Sequence, residues 1–307
     1  MGTFNTTVTG HTPMDVTRPL HTDRRANAWA ELQAQAHSEA EPAAAYRFAF
    51  ADPEFMLRRE TRGIRLQLEM LKPDLMQHNL GIHHTVVVYG SARFKSMEQA
   101  QATLVQAQAS GDARQLADAQ RHVRNARYYE EARKFGRIVA EYSQRCDQQE
   151  RVFVCTGGGP GIMEAANRGA SEAGALTVGM NISLPHEQQP NAWVSPELSF
   201  KFHYFAMRKM HFMMRAKALV VFPGGFGTLD ELFEVITLVQ CGKAKPVPIC
   251  LFGTDYWKRL FNFDVLVEEG TISAEDLALL SYSDDPQAMW DGIRAFYGMP
   301  DIDECGC

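Results

Sequence analysis

Two adjacent carboxylates and a group of cations, each close to a run of glycines, are the residues in this chain with chemistry to offer. Asp230 and Glu231 follow directly on Pro223-Gly224-Gly225-Phe226-Gly227-Thr228. Upstream, Arg208, His211 and Arg215 fall on one face of a predicted helix, with Lys209 beside them. Each set has two readings. Acids in a first helical turn can simply complement the helix dipole, or they can work as acid or base next to a bound anion. The cations can be a solvated basic face or part of the same site.

The elements that would position these residues are legible in the hydropathy pattern. Ala218 to Phe222 is an apolar run that reads as a buried strand. It enters the glycine turn, and a helix with Leu229, Leu232, Phe233, Ile236 and Val239 directed inward begins at once. A strand, a glycine turn and a helix N-terminus together make a phosphate cradle, because free backbone N–H groups and the positive end of the dipole converge there. Two similar junctions precede it. Thr85 to Tyr89 is a strand leading to Gly90-Ser91-Ala92, and Arg151 to Thr156 leads to Gly157-Gly158-Gly159-Pro160-Gly161. Further strands are expected at Leu176 to Leu184 and Pro246 to Phe252, and Pro185 to Leu198 is a polar loop. A polar segment from Ser96 to Gln149 is helical by composition, interrupted near Gly111, with Tyr128, Ala132, Phe135, Ile138 and Val139 on its apolar face.

Strands alternating with helices imply an α/β fold: a Rossmann-like, doubly wound parallel sheet with helices on both faces. Ligands of such sheets sit beyond the carboxyl ends of the strands, where all three glycine turns would lie. Residues 1–24 read as a tail, 25–80 as an N-terminal helical extension, 81–298 as the nucleotide-binding domain and 299–307 as a C-terminal tail. Within the extension, Ala26 to Ala40 has good helix propensity. Asp52-Pro53 should cap a second helix reaching about His78, with a kink or break at Pro73.

The 307 residues, 45% of them hydrophobic, suffice for a sizeable core. A net charge of −6 argues against a general nucleic-acid partner. No apolar run approaches the roughly 20 residues of a membrane span, and no signal-peptide core is evident. The start Met1-Gly2-Thr3-Phe4-Asn5-Thr6 fits the permissive myristoylation pattern, read here as chance. The six cysteines show neither disulfide framework nor zinc spacing; Cys155 and Cys250 read as small buried hydrophobes, and Cys305 and Cys307 as part of a tail. A reducing cytoplasm is expected, with no metal and no cofactor. The G-x-G-x-x-G pattern fails at Gly157, since Ile162 stands where the third glycine belongs. The G-x-x-x-x-G-K-[ST] loop is absent. The glycine turns therefore point to a smaller phosphate-bearing ligand.

Pro223 to Glu231 matches the P-G-G-x-G-T-x-x-E signature of the LONELY GUY (LOG) family, whose members are cytokinin riboside 5′-monophosphate phosphoribohydrolases and related AMP nucleosidases, formerly labelled lysine decarboxylases. Arg208-Lys209 resembles the family's Arg-Lys pair, although Phe205-Ala206-Met207 replaces the usual Met-His-x before it. Thr156 to Glu164 resembles its G-G-G-x-x-G-x-M turn. The resemblance spans about residues 80 to 265, and the N-terminal extension suits longer bacterial-type members. It implies hydrolysis of a nucleoside 5′-monophosphate to free base and ribose 5-phosphate by a homodimer or larger homo-oligomer. It makes Glu231 and Arg208 the catalytic pair. Gly224, Gly225, Gly227 and Thr228 would hold the phosphate with help from Lys209, Ser91, Gly157, Gly158 and Gly159, while Glu187 and Thr237 would line the site. The alternative on the same fold is a nucleotide or phosphorylated-cofactor carrier that turns nothing over.

Overall fold

The computed structural model describes Ala30 and residues 43–184 and 189–300. The expected tail at 1–24, most of the Ala26–Ala40 helix, Glu187, Cys305 and Cys307 lie outside these residues. The chain forms two compact units, Met1–Gln67 and Leu68–Cys307, with the division falling inside one helix.

In the first unit, α1 (Pro53–Met56) is capped as expected: the Asp52 carboxylate accepts from the N–H groups of Glu54 and Phe55. The helix predicted to run on to His78 is instead two. The Thr61 hydroxyl, 2.9 Å from the carbonyl oxygens of both Met56 and Arg58, closes α1 by taking the place of helical amides, and α2 (Arg62–Asn79) starts afresh. Pro73 does not break α2. It does remove the N–H that the Glu69 carbonyl would accept four residues back, leaving that oxygen to find another donor.

The second unit is built on seven parallel strands in the order β4-β3-β2-β1-β5-β6-β7. They are β1 (His84–Tyr89), β2 (Val152–Thr156), β3 (Val178–Ile182), β4 (Ser199–Phe202), β5 (Ala216–Val221), β6 (Ile249–Phe252) and β7 (Leu280–Ser283). The helices between them are α3 (Met97–Ser110), α4 (Ala113–Gln144), α5 (Ile162–Glu172), α6 (Phe205–Met214), α7 (Phe226–Gln240), α8 (Thr254–Leu260), α9 (Asp264–Glu268) and α10 (Pro286–Tyr297). The strand order turns back between β1 and β5, which places a crevice above their carboxyl ends.

Strand side chains alternate between faces, and both faces are covered. Val86, Val88, Val154, Val220 and Phe222 pack with Phe135 and Val139 of α4, Ala166 of α5 and Trp290 of α10. Val87, Tyr89, Cys155, Leu219 and Val221 pack on the other face with Phe212 of α6, Leu232 and Val235 of α7 and Trp257 of α8. The predicted inward face of α7 is slightly rotated: Val235 is buried, while Phe233 is exposed and stacks edge-on against Phe261. The α3–α4 break lies where expected, with Gly111 in the left-handed conformation. α4 and α5 cross closely enough that a Cβ at Gly169 would land on the Arg133 carbonyl oxygen. Among the described residues no helix is long and apolar enough to cross a membrane, and no group of three or more His, Cys, Asp or Glu side chains is placed to hold a metal ion.

Candidate active site

The three glycine turns meet. The Phe222 N–H donates to the Tyr89 carbonyl, the Ser91 N–H to the Pro223 carbonyl, and the Ile162 N–H to the Ser91 carbonyl. Ser91 thus stitches the turn after β1 to those after β5 and β2. Together they floor a cavity of about 1030 Å³ lined by Ser91, Gly157, Gly159, Gly224, Gly225, Gly227, Thr228, Arg208 and Glu231 among others. The turn after β2 is held from below by a buried network. Thr156 Oγ1 donates to Asn167 Oδ1 at 2.7 Å and accepts the Gly158 N–H, while Asn191 Nδ2 donates to the Gly159 carbonyl at 3.0 Å. Gly158 has φ +71° and turns the chain without itself lining the cavity.

Helix α7 begins at Phe226, and its first intrahelical bond runs from the Leu229 N–H to the Gly225 carbonyl at 3.0 Å. The amides of Phe226, Gly227 and Thr228 therefore precede the ladder at the positive end of a four-turn helix. Positions 225 and 227 have open space where a Cβ would stand. Tyr256, which the sequence reading passed over, donates its hydroxyl to the Gly224 carbonyl at 2.7 Å and fixes that peptide. Because the helix starts so early, Asp230 and Glu231 belong to its second turn and not its first. Complementing the dipole is not what they do.

What they do is bind α6. Arg208 Nη1 lies 3.0 Å from Glu231 Oε1, with both side chains nearly buried (9% and 13% exposed). Arg208 Nε donates to the Met180 carbonyl in the middle of β3 at 2.7 Å, and its guanidinium carbon sits 4.9 Å from the Phe212 ring centroid. A Cβ at Gly157 would come within 2.6 Å of Arg208 Nη2, so glycine there leaves room for the guanidinium. Burial pushes the Glu231 carboxyl up to about 7, against the opposing pull of Arg208 and Lys209. Asp230 points outward, 61% exposed. Lys209 does not line the cavity; its ammonium is taken up by Asp230 at 2.8 Å and Glu234 at 2.7 Å. The expected phosphate role for Lys209 is thus replaced by a second tie between α6 and α7. Thr237 is also outside the cavity, exposed and donating to the Phe233 carbonyl one turn back.

The rest of α6 is held from behind by α2. The Glu69 carboxylate accepts the N–H groups of His203 and Tyr204, capping a helix whose own N-cap side chain makes no such bond. The Glu69 carbonyl, orphaned by Pro73, lies 3.0 Å from His211 Nε2. His211 Nδ1 is buried and unpartnered, and burial lowers the pKa, both consistent with a neutral ring donating from Nε2. Arg215 at the far end pairs with Asp74 at 2.6 Å and donates to the Ile82 carbonyl. None of Arg208, His211 and Arg215 is a solvated basic face. Glu69→Ala should cost about 1–2 kcal/mol by leaving the cap amides of α6 unpaired, read as a lower denaturant midpoint at unchanged slope.

A family profile described as "Possible lysine decarboxylase" matches residues 163–293, from α5 into α10 and through α6 and α7, which the Arg208–Glu231 pair clamps together. Curated relatives carry the name cytokinin riboside 5′-monophosphate phosphoribohydrolase. LOG3 of Arabidopsis thaliana is 32% identical over 125 residues, covering 39% of this chain and 56% of that one. A probable enzyme of that name from Oryza sativa subsp. japonica, LOG4, is 29% identical over 143 residues, covering 46% and 61%. The chain is thus similar to LOG proteins over part of its length. The chain spans less than two thirds of either relative's length. Among solved structures, the Moco carrier protein from Chlamydomonas reinhardtii aligns with a TM-score of 0.38 and 17% identity over 71% of this chain and 99% of that one, a likeness too distant to bear on function.

Proposed function

We propose that this protein, like the LOG enzymes it resembles, hydrolyses the N-glycosidic bond of a nucleoside 5′-monophosphate, releasing the free base and ribose 5-phosphate. One observation carries the reading: a nearly buried carboxylate, Glu231, titrating near neutrality, lines the same cavity as the free amides of a helix N-terminus. The amides of Phe226, Gly227 and Thr228 take the 5′-phosphate, with the turns at Ser91 and Gly157 closing the cradle. The phosphate fixes where the ribose lies, so binding energy remote from the reacting bond orients it. Breaking the bond builds positive charge on the sugar. Glu231, as carboxylate, stabilises that charge and accepts the proton of the attacking water. Arg208 keeps Glu231 ionised enough to do so and fixes its direction.

The test is incubation of the purified full chain with AMP, an N6-prenylated AMP, CMP and GMP, following free base by chromatography. Base appearing together with ribose 5-phosphate from at least one of them is the expected result. Saturable binding with no base released from any would mark a carrier instead.

A further inference from the structure

Hydrolysis of a monophosphate requires one phosphate site, and the amides at the start of α7 supply it. The cavity carries more positive charge than that. Arg208 is engaged by Glu231, and Arg259 pairs with Asp255 at 3.3 Å. Three further arginines line the cavity: Arg93 in the turn after β1, and Arg124 and Arg127 one helical turn apart on α4. Among the described residues none of these three forms an ion pair. Arg127 instead lies over the Tyr128 ring, 4.7 Å from its centroid, and donates to its hydroxyl at 2.9 Å.

The wall bearing these arginines is packed in place. Tyr128 is buried, stacks on Phe94 at 5.6 Å beside Arg93, and meets Phe252 of β6 edge-on. The Phe94–Tyr128 stack therefore ties the Arg93 turn to the face of α4 that presents Arg124 and Arg127. Like charges on two elements lining one cavity, with no carboxylate in ion-pair range of them among the described residues, repel one another until an anion arrives. Guanidinium forks match phosphate oxygens in pairs.

We propose that the cavity takes a nucleotide bearing a second phosphate group, which Arg93, Arg124 and Arg127 bind. This rests on reading the cavity as a nucleotide site, and concerns its ligand, not its chemistry.

The experiment is calorimetric titration of the full chain with AMP, ADP and adenosine 3′,5′-bisphosphate at low and moderate salt. One of the two doubly phosphorylated ligands should bind at least about tenfold tighter than AMP, with a steeper loss on adding salt. ADP and the bisphosphate differ in where the second phosphate sits, so the tighter of them locates it relative to the cradle. An Arg124→Gln/Arg127→Gln variant, altered only at exposed positions, should bring that ligand's affinity down to the AMP level. Equal affinities for all three in the unaltered protein would overturn the proposal, as would a variant that weakens AMP in the same proportion. The base-release assay is separate. A protein that discriminates but releases no base sinks the hydrolase reading alone, and one that releases base without discriminating sinks only this inference.

Discussion

Glu231→Gln is expected to slow base release from a nucleoside 5′-monophosphate by about 10²–10⁴-fold, while the dissociation constant for the nucleotide stays within about threefold. Gln fills the same volume and can still accept from Arg208, so the cradle made by the turns after β1, β2 and β5 is left intact. What disappears is the negative charge beside the sugar and the ability to take a proton. The pH profile separates this from simple damage. Burial pushes the Glu231 carboxyl up to about 7, and the working form is the carboxylate. The rate should climb as pH rises toward that value and level off above it, and the residual rate of the Gln variant should lose that acid limb. Asp230→Asn, at an exposed position bonded to Lys209, should leave turnover within severalfold of normal. If the Asn variant proves inert and the Gln variant active, the two acids have been assigned the wrong way round.

The parts of this arrangement that local sequence announces are those whose signal is local. β1, β2, β5 and β6 are buried on both faces, so each reads as a continuous apolar run, and each glycine turn follows at the expected place. β4 and β7 went unrecognised because they are the short edge strands of the sheet, half wet, with Lys201 and Tyr282 facing outward. The start of α7 was set one turn too late because its N-cap is Gly225, which offers no side-chain acceptor to mark the boundary. That single turn decides whether Asp230 and Glu231 serve the dipole or reach α6. Lys209 was misassigned for a related reason, since nothing nearby in sequence says that Asp230 and Glu234 will meet it. The support from α2 was further out of reach. Pro73 looked like a breaker, but the carbonyl it frees is met by His211, a partner far along the chain. Arg124 and Arg127 lie on a helix read only for its apolar face. Spacing by itself favoured a solvated basic helix; the position of that helix just ahead of the glycine turn drew Arg208 toward the site, and the family motif made Arg208 and Glu231 a pair.

Arg208→Lys keeps a positive charge at this point and should still lower kcat/KM by about 10–100-fold, because the role of Arg208 depends on its shape. The guanidinium reaches two acceptors at once, donating from Nε to the Met180 carbonyl and from Nη1 to Glu231. A single ammonium on a flexible stem serves one of them, and the other partner is left buried without its donor, at a cost of about 1–3 kcal/mol. The consequence for Glu231 has a definite sign. Burial raises its pKa and Arg208 is the largest opposing influence, so weakening that contact moves the carboxyl further upward. The acid limb of the rate profile should therefore shift to higher pH in Arg208→Lys and further still in Arg208→Met, where the charge is gone. Part of the lost rate in either variant should return on raising the pH, which a collapsed site would not permit. A Lys variant with the parent's rate and an unmoved acid limb would mean that Arg208 acts only as a local charge, and that the clamp between α6 and α7 does not govern the acid it holds.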